Sequence, residues 1–320
     1  MNFSIVVPNY NGAQFLNNFL TSLAAAINNC PDSKFEIILI DNGSTDNSIT
    51  IFKDFSLSSR GDVERSKTEG FRFKILDSNH GFAKAINIGI KLSIYDWITV
   101  LNNDLELDEN WFKNISETKI NPKIGAICGT VLNSDGTKLE SQGLEFFYSG
   151  KAKNINNHIK YSLNLINRIP QIVWGASGAA TIYNKKIIEK IGNFDETFFA
   201  YEEDIDLSLR LNMVGCQTLL IPNCLSYHLG GGTSNKMGNF RSYHDTKNWY
   251  FIIIKNYSFK QFFSNFPALF LERLKNLKYL IQSTHPFYIV PITIVKLYIE
   301  IFKNIPKLLE KRKVMQKLLK

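Results

Sequence analysis

The feature that most constrains this chain is a rhythm in its first hundred residues, where short β-branched runs alternate with amphipathic stretches. SIVVP (4–8), FEIILID (35–41), FKILD (73–77) and WITVLNND (97–104) have strand character, while residues 13–28, 46–55 and 82–93 carry apolar side chains at helical spacing. Strands alternating with helices build βαβ units, so the pattern predicts an α/β fold with a mixed, mainly parallel sheet flanked by helices. Residues 37–40 are apolar without a break, as in a strand covered on both faces. Ligands of such sheets sit beyond the carboxyl ends of the strands.

Polar clusters fall at those ends: Pro8-Asn9-Tyr10-Asn11-Gly12, Asp41-Asn42-Gly43-Ser44, Asn79-His80-Gly81 and Asn102-Asn103-Asp104. Asn, Asp, Gly and Ser are also ordinary turn residues, so any one cluster reads equally well as a turn. Four in succession on one rim favour a binding site. Beyond residue 109 the regularity fades into a hairpin region (125–148), a polar stretch (151–168) and a small-residue run, Trp174-Gly175-Ala176-Ser177-Gly178-Ala179-Ala180. Residues 202–214 read as a helix ended by Gly215, and a last strand (217–221) leads to His228 and a glycine-rich loop. Residues 56–70 look like a surface insertion.

The net charge of +8 resembles a nucleic-acid signal until it is located. Residues 255–320 hold 13 Lys and Arg against 3 Asp and Glu, whereas the rest of the chain is slightly acidic. Basic residues interleaved with Phe, Tyr, Leu and Ile at one end suit an anionic membrane surface rather than a nucleic-acid groove. Residues 286–302 are apolar, but Lys296 and Glu300 interrupt them, and they fall short of the roughly 20 residues a bilayer crossing needs. An interfacial helix is expected there, and no segment at the start reads as a secretion signal. The four cysteines form no CxxC pair, which points away from zinc and disulfide scaffolds and toward a reducing cytoplasm. The expected location is cytoplasmic, peripheral at the inner face of the cell membrane.

Several residues can carry chemistry. Asp104 closes an apolar strand, where a carboxylate can hold a hard divalent ion shared with diphosphate oxygens or simply cap the next turn. His228 is a second candidate ligand, with a structural role as the alternative. Glu202-Glu203-Asp204, followed by Asp206, places four carboxylates at a helix start. Dipole complementation and an Asp206–Arg210 ion pair account for Glu202 and Asp206. They do not require three adjacent acids beside Phe198, Phe199 and Tyr201, which can desolvate a carboxylate toward the working range of a general base. Residues 175–180 allow either close approach of a ligand or tight packing, and Trp174 can stack on a sugar or be buried. The turn at residues 79–87 can turn its backbone and Lys84 toward phosphate, although an N-cap explains Asn79 equally well.

As an ordered set these elements resemble the family 2 glycosyltransferases of the GT-A fold. The resemblance rests on Val6-Val7-Pro8-Asn9-Tyr10-Asn11-Gly12, Asp41 through Asp46, Asn79-x-Gly81-Phe82-Ala83-x-Ala85-x-Asn87, the motif ending at Asp104, Gly175-Ala176-Ser177-Gly178, and Phe194-Asp195 through Glu203-Asp204. It covers residues 3–255. It implies a glycosyltransferase domain over 1–255, with a nucleotide-binding half (1–104) and an acceptor-binding half (105–255), followed by an amphipathic, membrane-associating helical tail (256–320). It further implies that Pro8, Asn11 and Asp41 hold the nucleoside, joined by Asn9, Asn79, Gly81, Lys84 and Asn103 from the same clusters.

By the same resemblance Asp104 binds a Mg²⁺ or Mn²⁺ ion with help from His228, and Asp204 is the catalytic base with Glu203 beside it. Trp174, Gly175, Ala176 and Ser177 are the expected acceptor-binding group. Asn102-Asn103-Asp104 replaces the family's Asp-x-Asp, leaving one carboxylate for the metal. The implied reaction is an inverting transfer of a single sugar, since the Gln-x-x-Arg-Trp motif of processive members is not evident. Within the family the chain looks like rhamnosyltransferases, so dTDP-rhamnose or a UDP-sugar is the expected donor and a glycan or lipid-linked hydroxyl in bacterial surface polysaccharide the expected acceptor. Two rivals are a sugar nucleotidyltransferase, which needs an early glycine-rich loop with Arg and Lys that residues 8–20 do not contain, and an inactive sugar-binding scaffold, which would have lost Asp104 or Asp204.

Overall fold

The computed structural model describes residues 1–58, 68–162, 169–229 and 238–319. Its first half is β1 (Phe3–Asn9), α1 (Ala13–Asn28), β2 (Phe35–Asp41), α2 (Ser48–Ser58), β3 (Thr68–Ile75), α3 (Phe82–Leu92) and β4 (Trp97–Leu101). The strands pair in parallel in the order β4-β1-β2-β3. Strand alternation sorts the side chains into two cores. Phe3, Ile5, Val7, Phe35, Ile37 and Leu39 pack with Leu16, Phe19 and Leu23 of α1, whereas Val6, Ile38 and Ile40 pack with Ala83, Ile86 and Ile90 of α3. α3 lies so close to β1 that a Cβ at Gly89 would meet the Val6 side chain at 2.3 Å.

The second half continues through β5 (Leu105–Leu107), α4 (Trp111–Ser116), β6 (Ile124–Asn133), β7 (Leu139–Ser141), β8 (Leu144–Phe147), β9 (Lys151–Asn154), β10 (Gln171–Val173), β11 (Ala180–Asn184), α5 (Lys185–Lys190), α6 (Glu203–Met213) and β12 (Gln217–His228). The sheet grows outward from β4 as β11, β6, β12 and β10, and only the β6–β12 pair is parallel in this extension. The expected hairpin region therefore holds a long buried strand, β6, that turns back into β7. β12 runs seven residues past the expected end at Ile221, because a register shift between Leu220 and Leu225 absorbs Pro222 and lets pairing resume as far as His228. β3 starts inside the expected insertion; residues 59–67 of it, 163–168 of the polar stretch and the glycine-rich loop at 230–237 lie outside the described residues.

α6 ends in a Schellman motif: Cys216 N–H donates to Leu211 O, Gly215 N–H to Asn212 O, and Gly215 takes φ +75°. After it come α7 (Phe240–Asn256), α8 (Phe259–Ser283) and α9 (Val290–Leu318). They fold back on the sheet domain. Arg312 Nη1 donates to Ile254 O at 3.2 Å, Lys311 bonds Asp195, and Met315 joins the core under α3. Lys255 of α7 bridges Asp195 and Asp206 at 2.6 and 2.9 Å, and Asp206 also takes Arg210 at 2.7 Å, all buried. The Asp206–Arg210 pair expected within the helix is thus one edge of a network tying α6 to the C-terminal helices.

Candidate active site

The ends of β1 to β4 open onto a cavity of about 890 Å³. Its rim is knitted together by side chains. Asn9 Nδ2 donates to Asp41 Oδ1 at 2.8 Å, Ser44 Oγ donates to the same oxygen at 2.6 Å, and Asn103 Nδ2 donates to Asn9 Oδ1 at 2.6 Å. Asn42 Nδ2 donates to Asn79 Oδ1 and Gly81 O, while His80 N–H donates to Asn42 Oδ1. Asn11 N–H and Oδ1 engage Ser44 and Thr45. Of the expected donor-binding residues, Pro8, Asn9, Asn79 and Gly81 line the cavity. Asn11, Asp41 and Asn103 stand behind that lining and hold the loops in place; it is Asn102 that reaches the cavity.

The turn before α3 departs from expectation. The Phe82 and Ala83 N–H groups donate to Phe199 O at 2.6 and 3.4 Å, so the helix start is capped by the loop before α6 rather than offered to phosphate. Lys84 lies beside His80, 3.5 Å from its Nδ1, outside the cavity lining.

Asp104 and His228 do meet. His228 Nε2 lies 3.3 Å from Asp104 Oδ2, its Nδ1 lies 2.7 Å from Glu140 Oε2, and Asp104 Oδ1 is buried with no hydrogen-bond partner among the described residues. Burial pushes the imidazole down, but the hydrogen bonds it donates to Asp104 and Glu140 outweigh it and raise its pKa to about 10, so a cation at Nε2 would have to displace that proton. The set fits a divalent cation: one carboxylate with an orphaned oxygen, and an imidazole oriented by a second carboxylate, with Asp104 not spent on capping. Among the described residues no cluster of three metal-binding side chains forms, so such an ion needs ligands from a bound molecule.

The acids before α6 sit on a strained segment. Phe199, Tyr201 and Glu202 take φ values of 67°, 67° and 66°, in the left-handed region that costs non-glycine residues energy. Asn248 of α7 pins it by donating to the carbonyls of Phe198, Ala200 and Tyr201 at 3.1, 2.8 and 2.7 Å. Asp204 Oδ2 accepts from Gly178 N–H at 2.8 Å and Oδ1 from Ile205 N–H at 2.8 Å. Burial raises its pKa and those N–H bonds oppose the rise. Glu203 is 5% exposed, and burial followed by the Asp204 charge pushes its carboxyl well up. Glu202 does not complement the helix dipole as expected; it faces the cavity close to Asp245.

The small-residue run is mostly packing. A Cβ at Gly175 would meet Ser208 of α6 at 2.7 Å, and Ala176 is buried. Ser177 and Gly178 line the cavity, whereas Trp174 is stacked on Phe146 with centroids 4.5 Å apart. Sequence reasoning missed Glu140, Asp245, Trp249, Arg273 and Asn276, which line the cavity from β7, α7 and α8. Asp245 and Trp249 are four apart and Arg273 and Asn276 three apart, a helical spacing of polar and aromatic groups that is the one local signal for them.

Residues 4–192, more than half of the chain, match the family described as Glycosyl transferase family 2. The chain belongs to that family. This glycosyltransferase is 29% identical over 229 residues to the poly-β-1,6-N-acetyl-D-glucosamine synthase of Staphylococcus epidermidis, covering 71% of its own length and 49% of that protein. The synthase of Staphylococcus aureus is 26% identical over 223 residues, 69% of this chain and 48% of that one. The transferase thus spans about half the length of the curated relatives it matches. Among solved structures it resembles S. aureus TarS 1–349 in complex with UDP-GlcNAc, at 15% identity and TM-score 0.56 over 99% of this chain and 91% of that one. Mannosyltransferase PcManGT from Pyrobaculum calidifontis, in complex with GDP-Man and Mn²⁺, has TM-score 0.56 at 12% identity over 99% and 85%. At such identities the likeness is one of fold, the GT-A fold.

Proposed function

We propose that this glycosyltransferase moves a single sugar from a nucleoside-diphosphate sugar to a hydroxyl of a glycan or lipid-linked acceptor, with inversion at the anomeric carbon, in surface polysaccharide synthesis. The observation that carries the mechanism is Asp204: two backbone N–H groups fix its carboxylate in the cavity wall, and burial raises its proton affinity. A carboxylate so placed accepts the acceptor hydroxyl's proton as the oxygen attacks. Burial and the Asp204 charge push the Glu203 carboxyl well up, which favours its neutral form beside the base. The knitted rim of residues 8–12, 41–45 and 79–81 orients the nucleotide. Asp104 and His228 would hold a divalent ion, Mg²⁺ or Mn²⁺, together with the donor diphosphate, and that ion supplies charge stabilisation to the departing nucleoside diphosphate.

The relatives' names contain N-acetylglucosamine, which supports a UDP-sugar ahead of dTDP-rhamnose as the donor to test first. Single transfer is supported by the lack of a Gln-x-x-Arg-Trp motif in this sequence. Residues 1–104 serve the donor and 105–255 the acceptor, and residues 256–320 meet an anionic membrane at the inner face. No helix among the described residues is long and apolar enough to cross a membrane. However, Phe259, Phe263, Phe266 and Phe270 on α8 and Ile292, Val295, Ile299 and Phe302 on α9 form exposed stripes at helical spacing in the basic part of the chain.

The test is thermal shift with UDP-, dTDP- and GDP-sugars, with and without Mn²⁺, followed by product analysis. A metal-dependent shift with one nucleotide class is expected. No shift with any of them overturns the donor assignment. Vesicle sedimentation of Phe263→Asp/Phe302→Asp tests the membrane face; truncation would not, because it also removes Arg273 and Lys311 from the folded domain.

A further inference from the structure

The proposed reaction gives the acceptor a base but leaves open what recognises its sugar. One wall of the cavity has groups that the chemistry so far does not use. Arg273 of α8 is 7% exposed; its Nη2 donates to Gly150 O, its Nε donates to Asn276 Oδ1 at 3.1 Å, and among the described residues its Nη1 has no partner. Asn276 Nδ2 in turn donates to Asp245 Oδ2 at 2.8 Å. Glu202 lines the same wall close to Asp245, and its Oε2 is likewise buried and unpartnered among the described residues. The guanidinium lies 5.0 Å over the ring of Trp249, which is also in the cavity wall.

Burial, then the neighbouring charge of Asp245, push the Glu202 carboxyl well up, and the Arg273 guanidinium lies near both carboxyls. The wall thus offers an unspent guanidinium donor, held over the buried Trp249, and an unspent carboxyl acceptor. That combination suits a neutral polyhydroxyl ring, whose vicinal hydroxyls both donate and accept. A phosphate would meet the carboxyl pair as well as the arginine. Glu202 also lies two residues from Asp204 in the chain, on the side of the cavity built by the C-terminal helices rather than by the strand ends of the donor rim.

Resting on the glycosyl-transfer reading, we infer that Arg273, Asn276, Asp245 and Glu202, with Trp249, form the subsite for a neutral sugar ring of the acceptor. The C-terminal helices then complete the active site as well as facing outward.

Saturation-transfer NMR tests this with the full chain and the methyl glycosides of N-acetylglucosamine, glucose and rhamnose, using glucose 6-phosphate as an anionic comparator. At least one neutral glycoside should bind the wild type, and its signal should fall at least tenfold in Arg273→Met and Asp245→Asn. Arg273→Gln keeps a side-chain donor for Gly150 O and loses the fork, so it serves if the methionine variant does not fold. Thermal shift with UDP, dTDP and GDP on the same samples reports the donor side independently. Loss of glycoside binding with nucleotide binding intact supports the subsite. A glycoside signal that survives both substitutions, no neutral glycoside bound, or binding of glucose 6-phosphate alone overturns it. If no nucleotide binds the wild type, the donor reading fails, while the glycoside arm still decides the subsite.

Discussion

The two sides of the cavity differ in how their polar groups are paired. On the side proposed for the donor, Asn9, Asp41, Asn42, Ser44, Asn79 and Asn103 bond one another, and all lie at strand ends or in the loops after them within the first 104 residues. On the side proposed for the acceptor the groups come from Glu202 and from α6, α7 and α8, spread over residues 202–276, and Glu202, Glu203 and Arg273 each keep an unpartnered buried atom among the described residues. The first is a scaffold largely satisfied before anything binds, its unpartnered buried atoms among the described residues being Asn102 Oδ1 and Asp104 Oδ1 at the end of β4. The second carries unspent hydrogen-bonding capacity and backbone strain, the pattern of groups held ready for a substrate. Changes on the acceptor side should therefore cost turnover, and changes behind the donor rim should cost mainly order.

The largest expected effect is on Asp204. Asp204→Asn keeps the shape and loses the proton acceptor, so turnover should fall by about 10³–10⁴ while nucleotide binding persists. Because burial raises the Asp204 pKa, the acid limb of the wild-type rate profile should lie above the usual carboxylate range, with activity lost as pH falls through it. Near-normal turnover in Asp204→Asn, or an acid limb at or below the usual value, would break the assignment.

Next is the network that joins α6 to α7 and α9. Lys255→Met leaves Asp195 and Asp206 buried with less compensation and should cost about 3–5 kcal/mol in denaturant unfolding. Lys255 and Lys311 hold the Asp195 carboxyl well below the usual range, while Arg210 and Lys255 lower Asp206; burial works against both. Burial also lowers Lys255, yet its two carboxylates favour the charged ammonium, and the pairs are formed as ions. Carboxylates with depressed folded pKa values contribute stability that is present above their unfolded values and is lost as pH falls through the folded ones. The variant brings those values back up, so its acid unfolding should begin at higher pH than in the wild type. An unchanged acid midpoint would remove this network from the account of how α6 is held.

Smaller still is the effect expected at Glu140, which orients His228 without facing the proposed base. Mn²⁺ affinity, read by electron paramagnetic resonance with a nucleoside diphosphate present, should weaken about 10- to 100-fold in Glu140→Ala. Glu140→Gln still accepts a hydrogen bond from Nδ1 and should sit at the lower end. Equal affinity in all three proteins would leave Glu140 as a surface acid.

How much of this was legible in the sequence follows from the same contrast. β1 to β4 and their loops show up as local patterns because each loop follows its own strand, and a parallel sheet then sets the four ends side by side. The Asp104–His228 meeting is nonlocal, and it was within reach through the family resemblance, since the expected last strand stopped seven residues short of His228. Glu140 was not, because it meets His228 only where β7 pairs with β6, and no spacing encodes that. β12 was cut short because Pro222 reads as a strand breaker, and only the pairing shows the bulge that accommodates it. Lys84 was placed toward phosphate by analogy with free helix starts, whereas the Phe199 carbonyl, more than a hundred residues away, occupies that start. Arg273 and Asn276 were counted as tail, since sequence carries no sign that α8 returns to the cavity.

The smallest effect tests the scaffold side directly. Asp41 Oδ1 accepts from both Asn9 Nδ2 and Ser44 Oγ, and Oδ2 accepts from Ser44 N–H, so an amide at this position leaves at least one of these donors facing an NH₂. Losing one buried hydrogen bond of this kind costs about 1–2 kcal/mol, so Asp41→Asn should lower the melting temperature by a few degrees. If the rim is a scaffold on which the nucleotide rests, affinity for the nucleotide should fall only several-fold, because Asn9 loosens while Pro8 and Asn79 stay. A loss of nucleotide binding by a hundredfold or more, with stability unchanged, would show that Asp41 touches the nucleoside itself, and the contrast between a pre-satisfied donor side and a poised acceptor side would then fail at its centre.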